Sequence, residues 1–151
     1  MSARERVLFL CTHNSARSQM AEGWLRALGG DRFEVASAGT EQTRVNPLTT
    51  RAMAEAGVDL GGHTSKTLER FVGERWDWVV TVCDAANEAC PVFPGAAHRI
   101  HWSFDDPSRA TGSEDERLAT FRRVRDEIRA RLEAWLAERR DTAHTTTRRR
   151  P

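Results

Sequence analysis

Apolar positions along the chain alternate between two spacings, one of strands and one of helices. Val7-Leu8-Phe9-Leu10 is a continuous apolar run, the pattern of a strand covered on both faces. After the loop from Cys11 to Ser18, Met20, Ala21, Trp24, Leu25 and Leu28 recur at helical spacing. They predict a helix over 19–28 that stops at Gly29-Gly30, with Trp24 in the core. Phe33 to Ala38 alternates as a second strand and completes a β-α-β unit. Asn46-Pro47 is a helix start, with Leu48, Ala52, Met53 and Ala56 as its buried stripe and Gly57 as its stop. The hydroxyls of Thr64 and Ser65 predict a short capped helix carrying Leu68 and Phe71.

Trp76 to Val82 reads as a third buried strand and Arg99 to Trp102 as a fourth. The small, polar stretch between Cys83 and Cys90 predicts only a marginal helix. Beyond the polar loop 103–112, Ser113 caps a long helix whose Leu118, Phe121, Val124, Ile128, Leu132 and Trp135 return every three or four residues. Residues 141–151 hold almost nothing apolar and read as a disordered tail after a single domain spanning 1–140. Strand-helix alternation throughout predicts an α/β fold, a three-layer sandwich around a four-stranded parallel sheet. The Cys11 loop then lies at the carboxyl ends of the strands.

Composition narrows the partners. The 23 basic and 22 acidic residues nearly cancel, so no strong field draws the chain to nucleic acid or to a membrane surface. No apolar run approaches the roughly 20 residues that span a bilayer. Three cysteines, an odd number, fit a reduced cytoplasmic protein with working thiols better than a disulfide framework. The expectation is a cytoplasmic monomer.

The chemistry concentrates in Cys11-Thr12-His13-Asn14-Ser15-Ala16-Arg17-Ser18, between the first strand and the first helix. A helix N-terminus and inward N–H groups favour both a bound anion and a thiolate there. Arg17 can grip two oxygens of a tetrahedral oxyanion from the side opposite Cys11, and Ser18 is a hydroxyl donor and N-cap candidate. A buried cysteine ending a strand is ordinarily structural; the Arg17 spacing makes Cys11 an activated nucleophile. Expelling hydroxide or alkoxide from the oxyanion needs a proton donor, for which Asp106, before Pro107, and its neighbour Asp105 are the candidates. Cys83 and Cys90, seven residues apart, are either two unconnected thiols or a pair. On an intact helix they stand ~10.5 Å apart along the axis, so a bridge requires the segment to unwind.

The run Cys11 to Glu22, Val80-Thr81-Val82-Cys83 with Cys90-Pro91, and His101-Trp102 with Asp105-Asp106-Pro107 resemble the thioredoxin-coupled arsenate reductases. These share the low-molecular-weight tyrosine phosphatase-like fold, and the resemblance covers about Val7 to Trp135. It implies that Cys11 attacks arsenate, that Arg17 and the amides of residues 12–18 hold its oxygens, and that Asp106 protonates the departing oxygen. It further implies that Cys83 releases arsenite and that Cys90 completes a disulfide reduced by thioredoxin, with phosphate or sulfate competing for the pocket. No cofactor and no metal is implied. Asn14 holds the loop and Ser18 donates to the Cys11 sulfur.

Relatives that bind potassium use a cluster matching Asn14, Glu22, Ser37 and Thr64 with an acidic residue where this chain has Lys66. A Lys66–Glu22 pair in the cation's place would make the chain independent of potassium. Some relatives carry glycine at His13, which here faces the pocket mouth or narrows the backbone. The rival functions on the same fold are a low-molecular-weight tyrosine phosphatase and a redox or oxyanion sensor. The lack of tyrosine after Pro107 disfavours a phosphotyrosine substrate, leaving phosphatase activity weak.

Overall fold

The structure, a computed structural model, describes residues 4–84 and 92–149, with side chains as far as Arg139. Four strands, β1 (Glu5–Cys11), β2 (Phe33–Gly39), β3 (Trp76–Thr81) and β4 (Ala96–His101), form one sheet in the order β2-β1-β3-β4. Every pairing is parallel. The apolar run of β1 explains its central place: Val7 and Phe9 point to one face and Leu8 and Leu10 to the other, all fully buried. At about 1.5–3 kcal/mol per buried side chain, an interior position, which β1 shares with β3, repays so apolar a strand.

Helices α1 (Arg17–Gly29), α2 (Pro47–Glu55) and α3 (Glu114–Arg149) pack together on the face of Val7 and Phe9. Trp24 lies 3% exposed there, its Nε1 donating to the Arg125 carbonyl at 3.1 Å. Among the described residues the opposite face has a thin cover: the one-turn helix Leu68–Phe71 and Phe93, packed on Leu8, Leu10, Trp76 and Val79.

Two helix starts form as the sequence predicts, but Thr64 and Ser65 do not cap the short helix Leu68–Phe71: its N-cap is Thr67 with no side-chain cap, and Ser65 Oγ donates to His13 O instead. Asn46 Oδ1 accepts from Leu48 N at 2.9 Å with Pro47 at the first helical position, and Gly57 turns the chain at φ +84°. Ser113 and Glu116 form a reciprocal capping box, Glu116 N to Ser113 Oγ at 3.1 Å and Ser113 N to Glu116 Oε1 at 3.2 Å. The long helix does not end at residue 140. Its backbone continues to Arg149.

Candidate oxyanion site

Cys11 is the last residue of β1 and Arg17 the first of α1, so the five residues between them must reverse the chain at the edge of the core. Their carbonyls are all engaged from outside the turn. Thr12 O accepts from Thr40 N at 2.9 Å, Glu41 N at 3.1 Å and Thr40 Oγ1 at 3.1 Å. His13 O accepts from Thr43 Oγ1 and Ser65 Oγ, Asn14 O from Gln19 Nε2, and Ser15 O from Asn46 N and Thr49 Oγ1. With the carbonyls held outward, the loop's N–H groups are left on the inner side, the arrangement that binds anions. Asn14 takes φ +51°, a left-handed conformation that asparagine tolerates better than most residues. The residues of this outer brace, Thr40, Thr43, Thr49 and Ser65, do not stand out in the sequence. The hydroxyl-rich run 40–50 is the signal of the three threonines, while Ser65 reads in the sequence as a helix cap.

The loop and its neighbours form a small cup lined by Cys11, His13, Ser15, Ala16, Arg17 and Asp106. At its floor, Cys11 Sγ lies 2.8 Å from Ser18 Oγ and accepts from Asn14 N at 3.3 Å. Ser18 is not the N-cap of α1: that position is Ala16, with no side-chain cap. The hydroxyl is inside the first turn, turned back to the sulfur.

Arg17, 2% exposed, donates through Nη1 to Phe104 O at 3.1 Å, and its Nη2 stands 3.7 Å from Asp106 Oδ2. The carbonyl anchors the guanidinium at the wall of the cup. Asp106 accepts from Ser108 N at 3.0 Å, a cap that fixes its carboxyl beside Arg17. Asp105 points elsewhere, pairing with Arg123 on the surface at 3.0 Å. Of the two acid candidates, only Asp106 reaches the cup. His13 lies at the cup, with its Nε2 3.2 Å from Glu41 Oε2.

The supporting residues are arranged differently from expectation. Lys66 does not pair with Glu22: its Nζ donates to Thr64 O at 2.7 Å. The cation on Glu22 is Arg26, one turn later on α1, with Nη1 2.5 Å from Oε2. The i,i+4 spacing of Glu22 and Arg26 is a sequence signal for this pair. His63 Nδ1 faces Gln19 Oε1 at 2.8 Å and its Nε2 faces Arg26 Nη1 at 3.1 Å. Because arginine can only donate, Nε2 is the accepting nitrogen and the ring is neutral. Burial pushes the His63 pKa below its ordinary value, and the Arg26 and Lys66 charges add to this against the opposing pull of Glu22. Burial likewise lowers Lys66, with Glu22 opposing.

Cys83, fully buried, lies two residues beyond the end of β3; Cys90 lies outside the described residues. Among the described residues no group of three or more His, Cys, Asp or Glu side chains is placed to hold a metal ion, and no helix is long and apolar enough to cross a membrane.

Residues 6–144 match the family described as low molecular weight phosphotyrosine protein phosphatase. The chain is 47% identical over 129 residues to the arsenate reductase of Halalkalibacterium halodurans, covering 85% of this chain and 93% of that one. Among solved structures it is similar to an arsenate reductase in the phosphate binding state, with a TM-score of 0.75 and 34% identity, covering 89% of this chain and 98% of that chain. It is also similar to a thioredoxin-dependent arsenate reductase of Corynebacterium glutamicum, with a TM-score of 0.62 and 25% identity, covering 91% of this chain and 64% of that one.

Proposed function

The chain belongs to the low molecular weight phosphotyrosine protein phosphatase family, and from that premise we propose that it reduces arsenate to arsenite. The observation that carries the reading is the cup itself, with a cysteine sulfur at its floor and Arg17 and Asp106 on its wall; a second buried thiol, Cys83, lies two residues beyond β3, the strand next to β1.

Arsenate binds with its oxygens on Arg17 and the loop amides. The Cys11 thiolate attacks arsenic, an S–As bond forms, and the departing oxygen leaves as water after taking a proton from Asp106. The Cys83 thiolate then attacks Cys11 Sγ. As the S–S bond forms, the S–As bond breaks with its electron pair moving to arsenic, so As(V) becomes As(III) while two thiols become one disulfide. Cys90 attacks Cys83 and frees Cys11. A thioredoxin dithiol reduces the Cys83–Cys90 bridge and is itself oxidised. Thioredoxin is supported as reductant by the thioredoxin-dependent relative and by the Cys83/Cys90 spacing.

A cup of this shape also accepts a phosphate monoester, so slow phosphatase turnover accompanies the reductase reading, with water in the place of Cys83. The deciding experiment is arsenate-dependent NADPH consumption with thioredoxin and its reductase, on the wild type and on Cys11→Ser, Cys83→Ser and Cys90→Ser. All three variants lose turnover. Phosphoester hydrolysis that survives Cys83→Ser, with no arsenate reduction by the wild type, overturns the proposal.

A further inference from the structure

Among the described residues, the donors to the His13 carbonyl are two side-chain hydroxyls, Thr43 Oγ1 at 2.9 Å and Ser65 Oγ at 3.1 Å. Ser65 Oγ accepts from Thr43 N at 3.0 Å, which leaves its one hydrogen for His13. Ser65 is 6% exposed, so little water competes with it, whereas Thr43 is exposed. These bonds fix more than the carbonyl. In a trans peptide the C=O of one residue and the N–H of the next point in opposite directions, and among the described residues no peptide is cis. With His13 O drawn outward, Asn14 N is turned inward, where it donates to Cys11 Sγ at 3.3 Å.

The inward turn is strained. Asn14 stands at φ +51°, a conformation less favourable than the extended one for any residue but glycine. Rotating the His13–Asn14 peptide by about half a turn changes ψ of His13 and φ of Asn14 while both Cα atoms stay in place, and it carries Asn14 from the left-handed region to the extended one. The side-chain bonds of Asn14 with Lys66 N, Gln19, Ser37 and Ser18 do not resist this rotation, because they hold Oδ1 and Nδ2 and leave the main-chain N–H free to turn about the N–Cα bond. After the rotation the Asn14 N–H faces away from the sulfur, and the His13 carbonyl, the negative end of the peptide dipole, faces toward it. The two hydroxyls on His13 O oppose the turn.

We propose that Ser65 and Thr43 are positioning residues for the nucleophile: together they keep the His13–Asn14 peptide from turning over, and so keep the Asn14 N–H aimed at the Cys11 thiolate. The proposal rests on Cys11 being the nucleophile. A hydrogen bond to the charged form favours a thiolate, so loss of this donor, with a carbonyl in its place, raises the share of unreactive thiol near neutral pH.

The test is the alkylation rate of Cys11 by iodoacetamide in the reduced full-length protein, between about pH 5 and 9, with the labelled cysteine located by peptide mass. Thr43→Val combined with Ser65→Ala slows alkylation about tenfold near neutral pH and moves the profile to higher pH, and a crystal structure of this double variant shows Asn14 out of the left-handed region. Ser65→Ala alone, which leaves only the exposed hydroxyl, slows alkylation about threefold, and Thr43→Ser, which keeps the hydroxyl, stays within about twofold of wild type. An unchanged rate in the double variant overturns the proposal. So does a slowed rate with Asn14 still at positive φ, which marks a general loosening of the loop. Should the double variant fail to fold, Ser65→Ala must by itself move the profile to higher pH, and the proposal falls if it does not. If the wild-type label falls first on Cys83 or Cys90, the assignment of Cys11 fails rather than the role of the two hydroxyls.

Discussion

Gly39→Ala is a one-carbon change that the fold makes expensive. Gly39 pairs with Cys11 at the end of the sheet, and its φ lies outside the left-handed region, so alanine carries no conformational penalty there. Space is the difficulty. A Cβ at position 39 would stand 2.6 Å from Thr12 O and 2.9 Å from Asn14 N, both backbone atoms of the oxyanion loop. Relieving these contacts moves the loop by about half an ångström or more, and Thr12 O is the acceptor of three hydrogen bonds, from Thr40 N, Glu41 N and Thr40 Oγ1. Overpacking of this kind costs about 1–3 kcal/mol. For a domain of this size that lowers Tm by about 2–12 °C. The catalytic cost is larger in proportion, because the displaced loop carries Asn14 N, which donates to Cys11 Sγ: kcat/KM for arsenate falls by up to about a hundredfold. Thermal unfolding, phosphate competition and NADPH-coupled turnover measure the three effects on one preparation. A variant whose Tm stays within a degree or so and whose kcat/KM stays within about twofold refutes the reasoning that the glycine is kept for the loop's approach.

Asp106→Asn lowers kcat about 10²- to 10⁴-fold in the same assay while phosphate still competes, whereas Asp105→Asn, losing only an exposed pair with Arg123, stays within about twofold. Turnover and Tm are equal in potassium and sodium chloride at matched ionic strength, because Arg26 already meets the Glu22 carboxylate; a clear gain with potassium counts against this. His63 has a folded-state pKa below its unfolded value of about 6.5, so the fold binds fewer protons than the unfolded chain below that pH. Its full contribution to stability is present above about pH 6.5 and is lost as pH falls through the folded pKa. Tm against pH falls less steeply on the acid side in His63→Gln than in wild type.

The elements that carry the chemistry were the most legible, for physical reasons. A strand buried on both faces must be apolar throughout, and a nucleophile loop must start where that strand stops, so Val7 to Arg17 announces itself. Asn46-Pro47 and Ser113 were legible because a cap is a local contact of a few residues. What escaped is long-range or directional. The preference for Asp106 over Asp105 came from its place before Pro107, whereas the outer brace of the loop comes from residues up to 52 positions away. Ser18 reads as a cap from its place at a helix start and, by resemblance, as a donor to Cys11; the structure puts its hydroxyl 2.8 Å from the sulfur and leaves the cap position to Ala16. The Lys66–Glu22 expectation named the right carboxylate with the wrong cation, since opposite charges in a sequence do not say which of several bases arrives first.

Arg17 anchors to a carbonyl 87 residues further along the chain, and this has a consequence for the protein as it is made. Cys11 is among the first residues synthesised, whereas the cup's wall at Phe104 and Asp106 comes far later. At about 5–20 residues per second, the stretch from Thr12 to Asp106 takes about 5–20 s to emerge. During that interval the cysteine exists without its arginine anchor, its third strand or its proton donor. In a nascent chain the cup is therefore open until Phe104 and Asp106, beyond the last strand, have been made.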